Sequence, residues 1–443
     1  MTNVDFDVEL QKFSEFLALP ESFEKEALEV ANRIFRVLQA QGDINRCRIV
    51  GGFGKKTSTS VKADLDAVVF INMEIKDKTD SKLSGILEEW KRVLNGALEH
   101  PQMETTSKTL KVKVGEISLD ILPAVNMSKD PENVEYSQLK ETLKYIRTEG
   151  KNNPSLANQL SAELAESSLT FLKGQSKFAH DFARLAKFWN QGLLYHEYVY
   201  GRSLIIETLA VHCANLEENN NVEPSMSNCL KRFFEELADI RKLFVWFDKN
   251  YSENEIPSGT MTQRPLLLDP TNPFNNLLAT GVEYTSAGVK PDLEFYTFLA
   301  RCAAGALKTL NTSSIPQIFY PHFRYAAVQR EVKVIFSNYL VQNNHGQEDP
   351  PRSMPGHEIR KKGLNEGVLR SIFSCFAVIH RISDFVCPNM TDEPRTEIVE
   401  KFLGQAGPWK TSADLHINRD VTVYIPWIAK EKMSVISFDV EEF

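Results

Sequence analysis

Apolar positions in the first forty residues recur every three to four places. Residues 8–18 and 22–41 therefore read as two helices. Phe23, Ala27, Val30, Ala31, Phe35 and Leu38 share one face of the second, and Pro20 separates the pair. The period then shortens to two. Residues 47–51 predict a short strand entering a glycine turn, and 64–72 (DLDAVVFIN) predict a β-branched strand. Leu110, Val112 and Val114 alternate with lysines, and Ile117, Leu119 and Ile121 alternate with Ser118 and Asp120. This is the pattern of a hairpin over 109–114 and 117–122, turning at Gly115-Glu116. From residue 156 the pattern is helical, over 156–173, 177–190, 203–216, 226–245 and 291–310. Residues 343–358 are polar and rich in Pro and Gly, as in a linker. A helix over 359–386 and two strands within 420–440 follow.

Composition narrows the class. Of 443 residues 42% are hydrophobic and 25% charged, as in a soluble globular chain of two or three domains. No apolar run approaches the roughly 18 residues of a membrane helix, and Met1–Leu10 carries no secretory core, so a cytoplasmic protein without a membrane partner is expected. The six cysteines are scattered and form no CxxC pair, which argues against a disulfide frame or a zinc knuckle. A net charge of −8 excludes a surface basic throughout and leaves room for one basic face.

The chemistry gathers in IVGGFGKKTSTSVKADLDAVVF. Gly51, Gly52 and Gly54 follow a strand and let backbone N–H groups approach a triphosphate, with Lys55 adding charge. The residues between Lys55 and Asp64 suffice for a short helix with its N-terminus towards phosphate. Asp64 and Asp66 lie two apart on a strand, hence on one face. Two adjacent carboxylates repel unless a cation sits between them, and magnesium takes oxygen ligands and shares them with phosphates. Asp120 follows 54 residues after Asp66, on a second strand, opposite the apolar face of Ile117, Leu119 and Ile121. It would complete a two-metal site and sit where it can take a proton from an attacking hydroxyl.

In this order the segments resemble the oligoadenylate synthase family, within the wider group that includes cyclic GMP-AMP synthase-like nucleotidyltransferases. GGFGKKTSTSVKADLDAVVF is similar to the GSxGKGT…DxD signature, and ISLDILPAV to the third-carboxylate strand. FLKGQSKFAHDFARLAKFWNQ, SLIIETLAVHCAN and RPLLLDPTNPFNNLL resemble later family segments, so the likeness spans about residues 8–310. It implies an α+β fold: a polymerase-β-type nucleotidyltransferase sheet, a helical second lobe, and an extra C-terminal α/β region. The expected domains are a catalytic core over 1–155, a helical lobe over 156–312 and an additional region over 313–443. It also implies two Mg2+ ions on Asp64, Asp66 and Asp120, and ATP held by Gly51, Gly52, Lys55, Arg184, Lys187 and, in the base-contacting position, Ser203. Arg184 and Lys187 lie three apart, on one helix face opposite Phe182, Leu185 and Trp189. Glu207, with Asp269, Pro270 and Asn275, would be architectural.

The resemblance further implies an antiviral innate-immune enzyme that makes 2′-5′-linked oligoadenylate when double-stranded RNA binds. Arg33, Arg36, Lys173 and Lys177 are the expected RNA contacts. A cyclic dinucleotide synthase, an RNA-binding scaffold and an RNA-tailing polymerase are the competing readings. Two departures stand out. Gly52 occupies the place of the signature serine, and Ile49 that of an RNA-contacting lysine in vertebrate synthases. The His-Cys-Cys zinc insertion of the cyclic GMP-AMP synthases has no counterpart between 188 and 330, where His212-Cys213 reads as helix core.

Overall fold

A computed structural model describes residues 3–59, 65–115, 117–150, 156–191, 193, 201–221, 223–279, 293–310, 318–319, 422–426 and 433–437. The chain divides into two compact units, one comprising 17–187 and 198–300, the other 1–16, 188–197 and 301–443.

The larger unit holds a five-stranded mixed sheet. Its strands are β1 (Ile44–Val50), β2 (Leu65–Ile71), β3 (Gln102–Thr105), β4 (Leu110–Val114) and β5 (Ile117–Val125), in the order β1-β2-β5-β4-β3. β2 and β5 run parallel, and the other neighbours are antiparallel. The predicted hairpin forms β4 and β5, with Gly115 at φ +60° in its turn and Glu116 outside the described residues. Such a φ suits a residue without Cβ.

Alternation sorts the two faces of the sheet. Leu65, Ala67, Val69 and Ile71 of β2 and Ile117, Leu119 and Ile121 of β5 enter a core with helices α2 (Glu21–Gln39) and α4 (Asp80–Ala97). α2 contributes Ala27, Val30, Ala31, Ile34 and Leu38, and α4 contributes Leu87, Trp90 and Leu94. Each fully buried aliphatic side chain stabilises by roughly 1.5–3 kcal/mol before entropy is counted. The opposite face carries Asp66, Val68 and Phe70 on β2, with Asp120, Leu122 and Ala124 on β5. Its apolar members pack with Val50, Ala162 and Ala165, and Asp66 and Asp120 end the row half-buried. Helix α3 (Gly51–Gly54) is one turn between β1 and the loop to β2.

Helices α5 (Val134–Glu149), α6 (Leu156–Gln159), α7 (Ala165–Lys173), α8 (Lys177–Gln191), α9 (Arg202–Asn220) and α10 (Met226–Ala238) follow. The helix expected over 156–173 is broken by turns at 160–164. The helix expected over 226–245 stops at Ala238, where a 3-10 turn (Ile240–Lys242) and a short strand β6 (Phe244–Val245) replace it. β6 joins β7 (Leu266–Asp269) and β8 (Asn272–Asn276). Helix α11 runs Leu293–Leu310.

In the smaller unit, Phe13 of α1 (Asn3–Phe16) meets Phe188 and Phe319 edge-on, each at 5.3 Å between centroids. The two strands expected within 420–440 are β9 (Thr422–Pro426) and β10 (Met433–Ser437), which pair antiparallel. The linker over 343–358 and the helix over 359–386 lie outside the described residues. Among the described residues, no helix is long and apolar enough to cross a membrane.

Candidate active site

The parallel register pairs Asp66 of β2 with Asp120 of β5. Aligned residues on neighbouring strands project to the same side, so the two carboxylates stand next to each other. Antiparallel pairing sets Lys111 of β4 beside Asp120, with 3.9 Å between Nζ and Oδ1. Asp64 lies outside the described residues, two positions before Asp66.

Gly51 is fitted to this pair. Its φ is +59°, and a Cβ placed there would lie 1.9 Å from Asp66 Oδ2. The Asp66 carboxyl therefore occupies the space that the missing side chain leaves. Adjacent oxygen donors in such a cradle suit a hard divalent cation, and the donor set fits magnesium.

The expected short helix after Lys55 is not found at 57–59, and 60–64 lie outside the described residues. The helical turn comes before Lys55 instead, as α3, and the chain folds back on it. Thr57 and Ser58 both donate their amides to the Gly52 carbonyl, at 2.9 and 3.1 Å. This brings Ser58 Oγ to 2.8 Å from where a Cβ on Gly52 would stand, and Lys187 Nζ to the same distance. The hydroxyl lost when glycine takes the serine position is thus matched by one from six residues later. No local motif announces Ser58.

Lys55, Lys187 and Thr57 converge on Glu207 of α9. Lys55 Nζ is 3.1 Å from Oε2, Lys187 Nζ is 3.4 Å from Oε1, and the Thr57 hydroxyl donates to Oε1. All four are buried. Burial alone would raise the Glu207 pKa, but the two ammonium groups, with hydrogen bonds from Thr57 and Lys55, outweigh it and bring it down to about 2. The cluster keeps one net positive charge behind the glycine turn. The Asp269 carboxyl, raised by burial, is opposed by hydrogen bonds from Thr271 and Asn275 and by the Lys55 charge. Asp269 accepts the Thr271 amide at 2.9 Å and so closes the β7–β8 turn, an architectural part.

Arg184 and Lys187 share a face of α8 as expected, yet both are buried, at 9% and 8% exposed. The Arg184 guanidinium pairs with Asp181 and donates to the Lys56 carbonyl at 2.9 Å. Ser203 is exposed in the first turn of α9, one turn before Glu207 on the same face. The remaining expected contacts lie elsewhere on the larger unit. Arg33 and Arg36 are exposed on α2, where they line a groove with Glu26, Glu29 and Gly115. Lys173 is exposed at the end of α7, and Lys177 opens α8 paired with Asp181 at 2.7 Å. His212 and Cys213 lie on α9 as expected, Cys213 fully buried.

Similarity to known proteins falls on the fold and on part of the chain. Residues 129–286 match the family model described as 2′-5′-oligoadenylate synthetase 1, domain 2, C-terminus. A mouse protein, 2′-5′-oligoadenylate synthase-like protein 2, is 23% identical over 51% of this chain and 49% of its own length. The chain thus spans about half the length of that relative. Among solved structures, the CdnC:HORMA-deltaN complex of E. coli MS115-1 is similar with a TM-score of 0.50 at 17% identity, covering 69% of this chain and 90% of that one. A Cid1 poly(U) polymerase bound to MgATP has a TM-score of 0.45 at 13% identity, over 72% and 99% of the two chains. The resemblance read from the sequence holds as a similarity: residues 129–286 match the model of the synthetase C-terminal domain, and the chain has a polymerase-β-type nucleotidyltransferase fold.

Proposed function

We propose that the protein is a magnesium-dependent nucleotidyltransferase that makes 2′-5′-linked oligoadenylate from ATP in response to double-stranded RNA. The observation that carries this reading is the Asp66–Asp120 pair, in register on parallel strands beneath a glycine turn shaped to the Asp66 carboxyl. Asp66 and Asp120, with Asp64, would hold magnesium. Bound there, the metal supplies activation of an acceptor hydroxyl and charge neutralisation on the leaving pyrophosphate.

The chain's own groups do the rest. Lys55 and Lys187 give the turn its positive charge, with Arg184 at its edge, and backbone N–H groups of Gly51 and Gly52 face the donor phosphates. Ser203 opens α9 where the adenine base would stand. Asp120 accepts the proton of the attacking ribose hydroxyl. RNA bound at Arg33, Arg36, Lys173 and Lys177 would favour the productive arrangement of the site by binding it more tightly than the resting one.

The test is to incubate purified protein with ATP, GTP, magnesium and duplex RNA and to identify the products. We expect RNA-dependent 2′-5′ oligoadenylate from the wild type. Asp120→Asn, which keeps shape and loses the charge, should yield none while melting like the wild type. A cyclic product would move the protein to the cyclic dinucleotide synthases. Nucleotides added to RNA 3′ ends would make it a tailing polymerase, and no product under any condition would leave an RNA-binding scaffold.

A further inference from the structure

Lys56 has a φ of +61°, a left-handed backbone that glycine adopts freely and a side-chain-bearing residue rarely does. Such a conformation persists where the surroundings hold it in place. Here the hold comes from α8. Arg184 NH1 donates to the Lys56 carbonyl at 2.9 Å, and its NH2 pairs with Asp181. Asp181, 1% exposed, has its other oxygen 2.7 Å from Lys177 Nζ. Residues 177, 181 and 184 are spaced to share one helix face, so the three form a ladder ending on the turn.

What that turn carries makes the ladder consequential. The neighbours of Lys56 are Lys55 and Thr57, both bound to Glu207. Rotating the backbone at Lys56 would re-aim both, because each is joined to Lys56 by one peptide bond. We infer that Asp181 is a positioning residue: through Arg184 it holds the Lys56 carbonyl, and with it the left-handed turn that aims Lys55 and Thr57.

The test combines Asp181→Asn with Lys56→Gly. Asparagine keeps the size of Asp181 and loses the charge that fixes the guanidinium. Glycine at 56 holds the left-handed turn without strain. Two readouts are taken: amide hydrogen exchange at Lys56, Thr57 and Ser58 in the ligand-free protein, and the dissociation constant of a non-hydrolysable ATP analogue. Removing the hold on one left-handed residue corresponds to roughly a tenfold change. D181N should therefore speed exchange at the three amides and weaken the analogue by about tenfold each, and K56G in the same chain should restore both. General loosening of α8 would not be repaired by a glycine in another segment.

Should D181N not fold, Arg184→Lys serves in its place, since it keeps the charge beside Asp181 and loses the fork that reaches the carbonyl. Unchanged exchange in the D181N or R184K variant, or acceleration that K56G does not reverse, overturns the inference. The analogue arm rests on the donor-site reading above, and the exchange arm does not. Wild-type protein that never binds the analogue while exchange responds as stated would sink the donor site and leave the positioning role standing.

Discussion

At the scale of single residues, the glycine turn leads to an expectation opposite to what family resemblance alone suggests. Restoring the signature serine with Gly52→Ser would place its Cβ 2.8 Å from both Lys187 Nζ and Ser58 Oγ. G52S should therefore lower the rate of nucleotide transfer instead of raising it, and Ser58→Ala should weaken donor binding by roughly tenfold, as for a lost hydrogen bond to a charged group. Kinetics on the two single variants would decide it, and a faster G52S enzyme would refute the pairing of these positions. Two residues on α9 contribute to the acid sensitivity of the fold. Burial, then the nearby Arg232, lowers the His212 pKa to about 4, so His212 is neutral in the native state. A base depressed on folding adds stability above its unfolded pKa of about 6.5 and loses it as pH falls towards 4. Glu207, held at about 2 when folded, adds stability above its unfolded pKa near 4.5 and loses it below. Stability should therefore decline in two steps on acidification. His212→Gln should remove the upper one, measured as urea midpoints from pH 7 to pH 3.

At the scale of elements, a buried ion pair fastens β1 to α7. Arg46 NH2 lies 2.8 Å from Glu166 Oε2, Arg48 Nε lies 2.7 Å from Oε1, and the Arg46 guanidinium sits 3.7 Å above the Phe70 ring. β1 leads straight into the turn at Gly51. Glu166→Ala strands a buried guanidinium and should cost about 3–5 kcal/mol in denaturant unfolding. A loss below about 1 kcal/mol, as for exposed pairs, would show that Arg46 finds another partner. Elements of this kind divide into those the sequence announces and those it does not. The β4–β5 hairpin is legible from alternation, and β2 from a short β-branched and aromatic run that is buried on both faces. α2 and α8 are legible from the helical period. α4 is just as periodic, through Leu83, Leu87, Trp90 and Leu94, yet neither it nor α5 is among the elements expected from the sequence. β3 alternates exposed with half-buried residues at the sheet edge, and Met103 is its single apolar residue. α10 ends sooner than its apolar spacing suggests, because the residues after Ala238 turn towards the small sheet through β6. Of the candidate site, the glycine turn and Asp66 lie close together in sequence, and Asp120 stands out as an acid within an alternating apolar strand. The Glu207 link to Lys55 spans 152 residues, and no local pattern encodes it.

At the scale of the molecule, a net charge of −8 confines phosphate binding to restricted patches. Arg33 and Arg36 share their groove with Glu26 and Glu29, and Lys177 is paired with Asp181, which Arg184 also engages. Charge reversal at Lys177 would disturb the ladder to Arg184 as well as any RNA contact. Arg33→Glu with Lys173→Glu is the cleaner combination, since neither residue touches the nucleotide turn. These reversals should abolish RNA stimulation, spare basal synthesis, and flatten the fall of RNA affinity with salt by about one unit of log–log slope per contact. Unchanged stimulation would move the RNA surface away from α2 and α7.

The parallel pairing of β2 with β5 also imposes an order on biosynthesis. Parallel neighbours cannot be joined by a tight turn, and between Asp66 and Asp120 the chain lays down α4, β3 and β4. When Asp66 leaves the ribosome, β1 and the Gly51 turn are already made, and β5 is not. Its companion carboxylate follows only with β5, and the counter-ion of Lys55 only with α9. Contacts so far apart form late, because loop closure must come first. A nascent chain therefore assembles the proposed site last: Asp66 waits for β5, and Lys55 for its partner on α9.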